Sequence, residues 1–469
     1  MTSVSKLTEE RRLLLLSVLS LSIILIFGLG WLVASPLLSN KSMILLEDFP
    51  LAFLCGLLAN YGIILCFQSL GRCLLIGSAL SILGYAQFGI HVCCKGCKGP
   101  YPLSRPVIWC GILVVLLLYA IKILSEPLAA WDARSIWFFH AKMIYVKGAL
   151  SQAAGWNHAA AQFSHVDYPK LLSSLAAEVS YPMRYWNEYL PKVALLLLLI
   201  PPVFWIYSFL RYSWSSLFLL CIFPFMMGEW LWNGYMDGYL AIYLAVAMLL
   251  VGRYITKRQP LDLISSLGCL VFIPNLKNEG LLEMFIGAIA ITITGIKMAK
   301  ANMLQLEQVI RLRWPQSVSL IVCIIPCLVW YLYYRIAWGL TNDLQIGTHE
   351  TFTRILQRIT DWNSIALIFG SILNQLWFPI LILSVLFIVL MMTGGSRMQT
   401  EMIPPIITGT LYALCLFIVY LLTPNDLAWH LTNSVNRTIL SAKSCFLVGI
   451  FWMMHHLENK AECATVVKT

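Results

Sequence analysis

Long unbroken apolar runs constrain this chain more than any other feature. The segment from Val193 to Phe209 contains no charged residue, whereas the strands of an outer-membrane barrel alternate in character and need only about 10 residues per crossing. A transmembrane helix needs about 20 apolar residues. Thirteen candidate runs are centred near residues 13–35, 45–67, 71–93, 106–124, 190–210, 215–232, 238–255, 262–276, 281–296, 316–337, 372–392, 404–422 and 440–456. The sequence therefore predicts an all-α, polytopic transmembrane helix bundle with about 12 to 13 spans.

Composition and charge narrow the class of protein further. The 469 residues are 59% apolar and only 12% charged, which excludes a soluble globular enzyme because such a chain could not keep its surface hydrated. The net charge of +10 comes from 32 basic and 22 acidic residues, and the basic residues are spread over many short loops. Such loops are typical of membrane topology, so we predict contact with membrane lipid and no nucleic-acid partner.

Metal and cofactor motifs are missing from the sequence. Most of the 14 cysteines lie in apolar runs, where Cys behaves as a small hydrophobe. Cys94 and Cys97 form a CxxC pair, but no second pair or His cluster completes a zinc site. No P-loop or GxGxxG fingerprint occurs either, and no Asp-x-Asp pair lies in the loops that we place outside. We predict no metal and no cofactor, and a metal site formed by His165 and Asp167 stays open as the alternative.

The chain divides into three parts by polarity. N-terminal spans occupy 1–124, a long polar loop occupies 125–189, and a helical core with polar loops near 339–364 and 423–437 occupies 190–469. Basic residues cluster in the loops at 253–258, 297–313 and near Arg397, which places those loops in the cytoplasm. The long loop and the two later polar loops then lie on the opposite side. Lys6, Arg11 and Arg12 favour a cytoplasmic N-terminus, which thirteen crossings would not allow, so the number of N-terminal spans stays open.

The long loop begins with a carboxylate at a membrane boundary. Asp132 follows Trp131, and Ile136, Phe139, His140, Met143 and Lys147 then recur at helical spacing up to Gly148. This pattern predicts an interfacial amphipathic helix that ends at Gly148. Two interpretations of Asp132 stay open: a helix N-cap, or a functional group of the kind that ionisable residues near membranes often supply.

Further polar signals lie on the same predicted face. The loop continues with His165-Val166-Asp167-Tyr168-Pro169-Lys170, in which Pro169 can begin a helix and Asp167 can cap it. Later span ends carry Tyr235-Met236-Asp237-Gly238, Lys277-Asn278-Glu279-Gly280, Trp429-His430 and Asn436-Arg437. Each alone fits an ordinary interfacial anchor. Together they put acid, base and cation on one face, which is what binding of a phosphate-linked lipid requires.

These motifs resemble the integral-membrane glycosyltransferases of the GT-C superfamily, in particular the bacterial dolichyl-phosphate-mannose-protein mannosyltransferase-like group. The resemblance rests on the Trp-Asp pair, the Tyr-Pro turn and the two span-end signals, and it extends from about residue 125 to the end. The chain differs in placing Lys170 after Pro169 and in having about four spans before the loop.

The resemblance implies a GT-C-like fold and an inverting glycosyltransferase. Its partners would be a polyprenyl-phosphate-linked sugar donor and a glycan, lipid or protein acceptor. Asp132 would be the catalytic base, in a site that faces the periplasm from a bacterial inner membrane. We expect eight residues to bind the donor: Arg134, His165, Asp167, Lys170, Lys277, Glu279, His430 and Arg437.

Two other classes remain as alternatives. A multi-pass transporter would use charged residues within spans, and Glu283 and Asp237 are candidates. No repeated half is detectable, and the polar residues gather in loops, which disfavours this class. A lipid-linked oligosaccharide polymerase or ligase usually has its longest external loop late in the chain, whereas the longest loop here lies about a third of the way along.

Overall fold

The computed structural model describes residues 2–38, 43–98, 105–210, 213–300, 314–340, 349–393 and 399–466. Almost all of these residues are helical. Arg311, Arg313 and Arg397, which entered the orientation argument, lie outside the described residues, as do 341–348 of the predicted loop near 339–364. The same holds for the side chains of Lys6, Arg11 and Arg12.

Eighteen α-helices lie in the described ranges. They are α1 Thr2–Leu38, α2 Leu45–Phe67, α3 Leu70–Lys95, α4 Arg105–Ser125, α5 Phe138–Lys147, α6 Leu171–Ser180, α7 Val193–Ser208, α8 Ser213–Met227, α9 Asp237–Lys257, α10 Pro260–Phe272, α11 Glu279–Lys300, α12 Trp314–Val329, α13 Arg335–Ala337, α14 His349–Thr360, α15 Trp362–Met392, α16 Ile403–Leu422, α17 Leu427–Thr438 and α18 Leu440–Val466. π-Helical turns at Ala133–Trp137 and Trp330–Tyr334 precede α5 and α13. Two-residue strands, β1 Met43–Ile44 and β2 Cys97–Lys98, pair in parallel.

Twelve helical segments are long and apolar enough to cross a membrane within the described ranges, which confirms the predicted polytopic helical protein with 12 to 13 spans. The predicted run at 262–276 is the exception, since the helical segment there covers only Pro260–Asn275. At 1.5 Å per residue its length is about 24 Å, less than the hydrocarbon core of about 30 Å.

The described residues form two compact units. The first comprises Met1–Ser208, Leu231–Tyr235 and Leu312–Leu340, and the second comprises Phe209–Trp230, Met236–Arg311 and Thr341–Thr469. The predicted division of the chain by membrane side stays a prediction.

Small residues let helices approach closely in the first unit. A Cβ added to Gly30 of α1 would overlap the Ala52 carbonyl of α2, and one added to Gly84 of α3 would overlap the Gly28 carbonyl of α1. Helix α1 therefore packs backbone to backbone on both α2 and α3, as small residues permit in membranes. The segment that follows α4 belongs to the same unit and is largely helical, with α5, α6 and short 3₁₀ turns.

Helix α9 is the centre of the second unit. Every residue from Asp237 to Ile255 is buried, and α10 and α18 pack against it. Gly252 accommodates the Trp452 indole of α18, since a Cβ at Gly252 would overlap that ring. Because α9 is buried along its length, the charged groups at its two ends are held between helices.

Candidate functional site

Asp132 lies inside a helix rather than at its cap. Its backbone angles, φ −60° and ψ −35°, are helical, and its side chain makes no capping hydrogen bond. The π-helical turn Ala133–Trp137 follows at once, and such bulges occur frequently at functional sites. The residue is 9% exposed, whereas the neighbouring Arg134 is exposed. The N-cap interpretation of Asp132 thus lacks the hydrogen bond that it requires.

Helix α5 ends as the sequence predicts. Gly148 has left-handed angles, with φ 68°, and its N–H donates to the Ile144 carbonyl. This geometry favours glycine because a Cβ is strained there. The helix is confirmed, but its interfacial position outside the cytoplasm stays a prediction.

Lys170 is completely buried in the first unit. Its ammonium Nζ donates to the Val166 carbonyl at 2.8 Å, and it lies 4.8 Å from the centre of the Trp156 ring and 5.3 Å from that of Trp330. Two aromatic faces and one carbonyl partly replace the water that the charge has lost. The backbone N–H of Lys170 donates to the Tyr61 hydroxyl at 3.0 Å. These contacts tie the loop to α2, so Lys170 holds a structural position, and its binding of the donor stays a prediction.

His140 extends this network from α5. Lys170 Nζ lies 3.1 Å from His140 Nδ1, and His140 Nε2 lies 3.0 Å from the Ser164 hydroxyl. Burial, the Lys170 charge and His165 lower the pKa of His140. Burial also lowers the pKa of Lys170, against the opposing effect of Asp167. A neutral His140 with its proton on Nε2 therefore accepts from Lys170 and donates to Ser164.

The other predicted residues of the loop lie close to Lys170 in the chain. The Asp167 carboxylate is 1% exposed and lies 3.6 Å from the Arg335 guanidinium. His165 has left-handed angles, with φ 52°, and its ring stacks on Tyr168 at 5.1 Å. Helix α6 has Lys170 at its N-cap position, so Asp167 lies before that position.

The second unit brings four predicted donor-binding residues together around the carboxylate of Asp237. The sequence analysis gave Asp237 no role in the glycosyltransferase site. Asp237, at the start of α9, lies 2.9 Å from Lys277 Nζ and 3.7 Å from the Arg437 guanidinium. Lys277 Nζ also lies 3.0 Å from Glu279. The side chains of Lys277 and Asp237 are 4% and 5% exposed, whereas those of Arg437 and Glu279 are 20% and 36% exposed. The group, which we name the Asp237 cluster, is therefore buried at its centre and reaches the surface at its edge.

His430 and Glu283 complete the Asp237 cluster. His430 lies edge to face with Tyr420 at 5.2 Å and interacts electrostatically with Arg437, Glu279 and Lys277. Glu283, one turn along α11 from Glu279, is fully buried and accepts a hydrogen bond from Ser441 at 2.5 Å. The Tyr412 side chain also forms a hydrogen bond with the Glu283 carboxyl. Glu279 Oε2 and His430 Nδ1 are buried and have no hydrogen-bond partner among the described residues. Since buried polar atoms are nearly always hydrogen-bonded, these atoms mark a place for a polar ligand or water.

The sequence predicted span starts near Asp237 and Glu279, where the structure also begins candidate spans. The predicted polar loop at 423–437 is instead largely helical, since α17 covers Leu427–Thr438 and lies within the candidate span Leu427–Ala461. The sequence also missed the carboxylate at the centre of the group. Glu279 begins α11 and Lys277 lies just before it, whereas His430 and Arg437 both lie in α17, and the four converge in one unit. Asp237 belongs to a motif that the sequence singled out, but only tertiary contacts show it between two cations. His140 has the pattern of an ordinary residue of the amphipathic helix, and Trp156 belongs to no motif of the sequence, so neither was predicted as a site residue. Among the described residues, no group of three or more His, Cys, Asp or Glu side chains is placed to hold a metal ion.

Comparisons with protein-family models, with curated proteins and with solved structures find no match to this chain.

Proposed function

We propose that this protein is a membrane glycosyltransferase that moves a sugar from a polyprenyl-phosphate donor to a glycan, lipid or protein acceptor. The fold would be GT-C-like, the helix around Asp132 and α5 would lie in the membrane interface, and the site would face the periplasm from a bacterial inner membrane. Transfer would invert the anomeric carbon. The acceptor hydroxyl loses its proton to a carboxylate, its oxygen bonds to that carbon, and the polyprenyl phosphate leaves.

The Asp237 cluster is the observation that carries this proposal. A sugar phosphate presents anionic oxygens and hydroxyl groups, so a site for it needs cations and acceptor oxygens side by side. Lys277 and Arg437 supply the cations, and Glu279 Oε2 is an acceptor that no described residue uses. The Asp237 carboxylate holds both cations in position, which lowers the entropy cost of ordering them around a phosphate.

Asp132 is the proposed base. It is a largely buried carboxylate next to a π-helical turn, and it makes no capping hydrogen bond. The remaining predicted donor ligands, Arg134, His165, Asp167 and Lys170, stay part of the proposal. Of these four, Arg134 is exposed in the structure.

Transfer of radiolabel from a polyprenyl-phosphate sugar tests the function directly. The purified full chain in lipid nanodiscs should release polyprenyl phosphate and pass the labelled sugar to an acceptor in a membrane extract. Asp132→Asn should lower transfer by about 10²–10⁴-fold but retain donor binding. If no donor in a panel of hexosyl and pentosyl polyprenyl phosphates is consumed, the proposal is wrong. Growth of a sugar polymer would instead indicate a polymerase or ligase.

A multi-pass transporter is the second candidate, and the position of Glu283 favours it. This carboxyl lies in a span-forming helix, is fully buried, and is hydrogen-bonded to Ser441 of another helix, as carboxyls on ion and proton pathways are. Transport would be supported if proteoliposomes take up a labelled solute without consuming polyprenyl-phosphate sugar. This uptake should be lost in Glu283→Gln.

A further inference from the structure

A cavity in the first unit belongs to neither group of residues described above. It has a volume of about 390 Å³ and lies among α1, α2, α3, α6 and the 3₁₀ turn Tyr181–Met183. This volume is within the range of about 300–1,000 Å³ of small-molecule sites. Most of its lining is aliphatic, and two of its lining residues, Leu21 and Ile82, are 65% and 69% exposed. Because exposed leucine and isoleucine on span-forming helices face lipid, the cavity opens towards the hydrocarbon phase.

A buried polar pair lies in the wall of this mostly apolar cavity, whose lining also includes Ser22, Ser78, Ser81 and Tyr85. Asn60 of α2 donates its side-chain N–H to Glu178 Oε2 of α6 at 2.5 Å, and the two residues are 2% and 5% exposed. Asn60 Oδ1 and Glu178 Oε1 are buried and receive no hydrogen bond from any described residue. Each orphaned acceptor costs about 1–3 kcal/mol of desolvation unless something fills it. Both residues line the cavity, and each therefore brings to its wall one buried oxygen without a partner among the described residues.

We propose that this cavity binds an uncharged membrane amphiphile, an aliphatic chain that ends in a hydroxyl group, with the hydroxyl between Asn60 and Glu178. The aliphatic chain would occupy the apolar part of the cavity. The hydroxyl hydrogen would be donated to Asn60 Oδ1, and the hydroxyl oxygen would accept from the protonated Glu178 carboxyl. A single hydroxyl thus satisfies both orphaned atoms without placing a charge in an apolar cavity, which would be costly.

The surroundings of Glu178 favour a neutral carboxyl at a pH below its raised pKa of about 7. Burial raises its pKa to about 7, against the hydrogen bond from Asn60, which lowers it. The Cys73 thiol on α3 interacts electrostatically with Glu178, and the Tyr85 phenol of the same helix also lines the cavity. Among the described residues of the lining, Glu178 is the only Asp, Glu, Lys or Arg. Helix α5, which packs on α6, carries His140, whose ring is engaged by Lys170 and Ser164. It also carries Lys142 and Lys147, which line a separate hollow. The short turn Leu190–Lys192 adds Lys192, which donates to the Glu126 carbonyl.

Photolabelling of the full chain tests the site without any need for sugar-transfer activity. The probe is hexadecanol with a diazirine in its chain, added to the protein in phosphatidylcholine nanodiscs. Label should saturate, should map to peptides of α1, α3 and α6, and should be competed by 1-hexadecanol. Palmitate should compete poorly because its carboxylate would face Glu178. Unsaturable label, spread over all exposed helices, would overturn the proposal.

Two leucines on α3 give a matched pair of variants. Leu74 lines the cavity, whereas Leu75 is 73% exposed and points to lipid. Leu74→Trp should fill the space and abolish saturable labelling, and Leu75→Trp should not change it. Asn60→Leu should weaken labelling by about threefold to tenfold, the loss expected for one neutral hydrogen bond. Equal labelling of Leu74→Trp and Leu75→Trp would also overturn the proposal.

The pH dependence distinguishes an alcohol from an amine. Binding of hexadecanol should weaken by up to tenfold for each pH unit above about 7, as Glu178 loses its proton. Hexadecylamine would show the opposite trend, because an ammonium needs the ionised carboxylate. Glu178→Gln should bind hexadecanol at all pH values, since its amide N–H replaces the carboxyl proton. The assignment to an alcohol would be refuted if hexadecylamine binds more tightly than hexadecanol at pH 8 and hexadecanol shows no saturable binding at pH 6.

Discussion

Removing one charge from the Asp237 cluster separates its structural role from its proposed role in donor binding. Lys277→Gln deletes a cation whose side chain is 4% exposed and leaves Asp237 with Arg437 at 3.7 Å. We expect this change to lower both the free energy of unfolding and the affinity for polyprenyl-phosphate sugar. The two losses need separate controls, since a destabilised protein also binds poorly.

The stability loss follows from the geometry. At 2.9 Å the attraction between Lys277 and Asp237 is about 6 kcal/mol at an effective dielectric constant of about 20. Desolvation of both charges offsets much of it. Removal of one partner from a buried pair typically costs about 3–5 kcal/mol. Arg437 still compensates Asp237 in part, so we expect a loss of about 3 kcal/mol. Asp237→Asn should cost a similar amount, and the double variant should cost about 2 kcal/mol less than the sum of the two, because the pair is coupled.

The same helix contains a matched control. Arg253 and Asp262 form a second buried pair at 2.7 Å, with side chains 1% and 3% exposed. Arg253 lies sixteen residues after Asp237 in α9, which is about 24 Å along the helix. Arg253→Gln should therefore destabilise the protein about as much as Lys277→Gln, but at the other end of α9 from the Asp237 cluster.

Two measurements on each purified variant decide the question. Unfolding in mixed micelles of increasing SDS fraction gives the free energy, and equilibrium dialysis with radiolabelled donor gives the affinity. Lys277→Gln should weaken donor binding at least tenfold, because a charged hydrogen bond contributes about 1.5–3 kcal/mol, whereas Arg253→Gln should change it less than twofold. Unchanged donor affinity in Lys277→Gln would refute the phosphate role, and equal losses in both variants would show that Lys277 acts only through stability.

Three further predictions concern the first unit. Asp132→Asn should lower sugar transfer by about 10²–10⁴-fold, as loss of a general base does, with unfolding unchanged; near wild-type transfer would remove Asp132 from catalysis and leave Asp167 as the next carboxylate to test. Cysteine introduced as Gly155→Cys, in a Cys-free background, should react with an impermeant maleimide added outside intact cells; reaction only after the inner face is opened would reverse the predicted orientation. Stability should fall by about 3 kcal/mol as pH rises from about 4.5 to about 7, because folding raises the pKa of Glu178 and the folded state holds the extra proton in that window. The stability of Glu178→Gln should not show this fall with rising pH. If the stability of both proteins depends on pH in the same way, the prediction is wrong.

Hydrophobic patterning made the secondary structure predictable. A run of apolar residues that is long enough to cross a bilayer can satisfy its backbone only as a helix, so the spans follow from length and composition. The run at 262–276 shows the limit of this rule. This run is apolar, but Pro260 and Pro274 lie at the two ends of a helical segment that is too short to cross a membrane. Hydropathy alone does not show where a helix begins and ends.

The sequence by itself determined that this protein is a helical multi-pass membrane protein, and it determined the approximate number of its spans. Local chemistry controls these features, because backbone hydrogen bonding and apolar area are properties of each segment alone. Only the tertiary structure decided which polar groups meet. It placed Asp237 between Lys277 and Arg437, buried Lys170 against Trp156 and Trp330, and left Asn60 and Glu178 in the wall of an apolar cavity. Each of these groups joins residues far apart in the chain, and their meeting depends on how helices pack, which no single segment encodes.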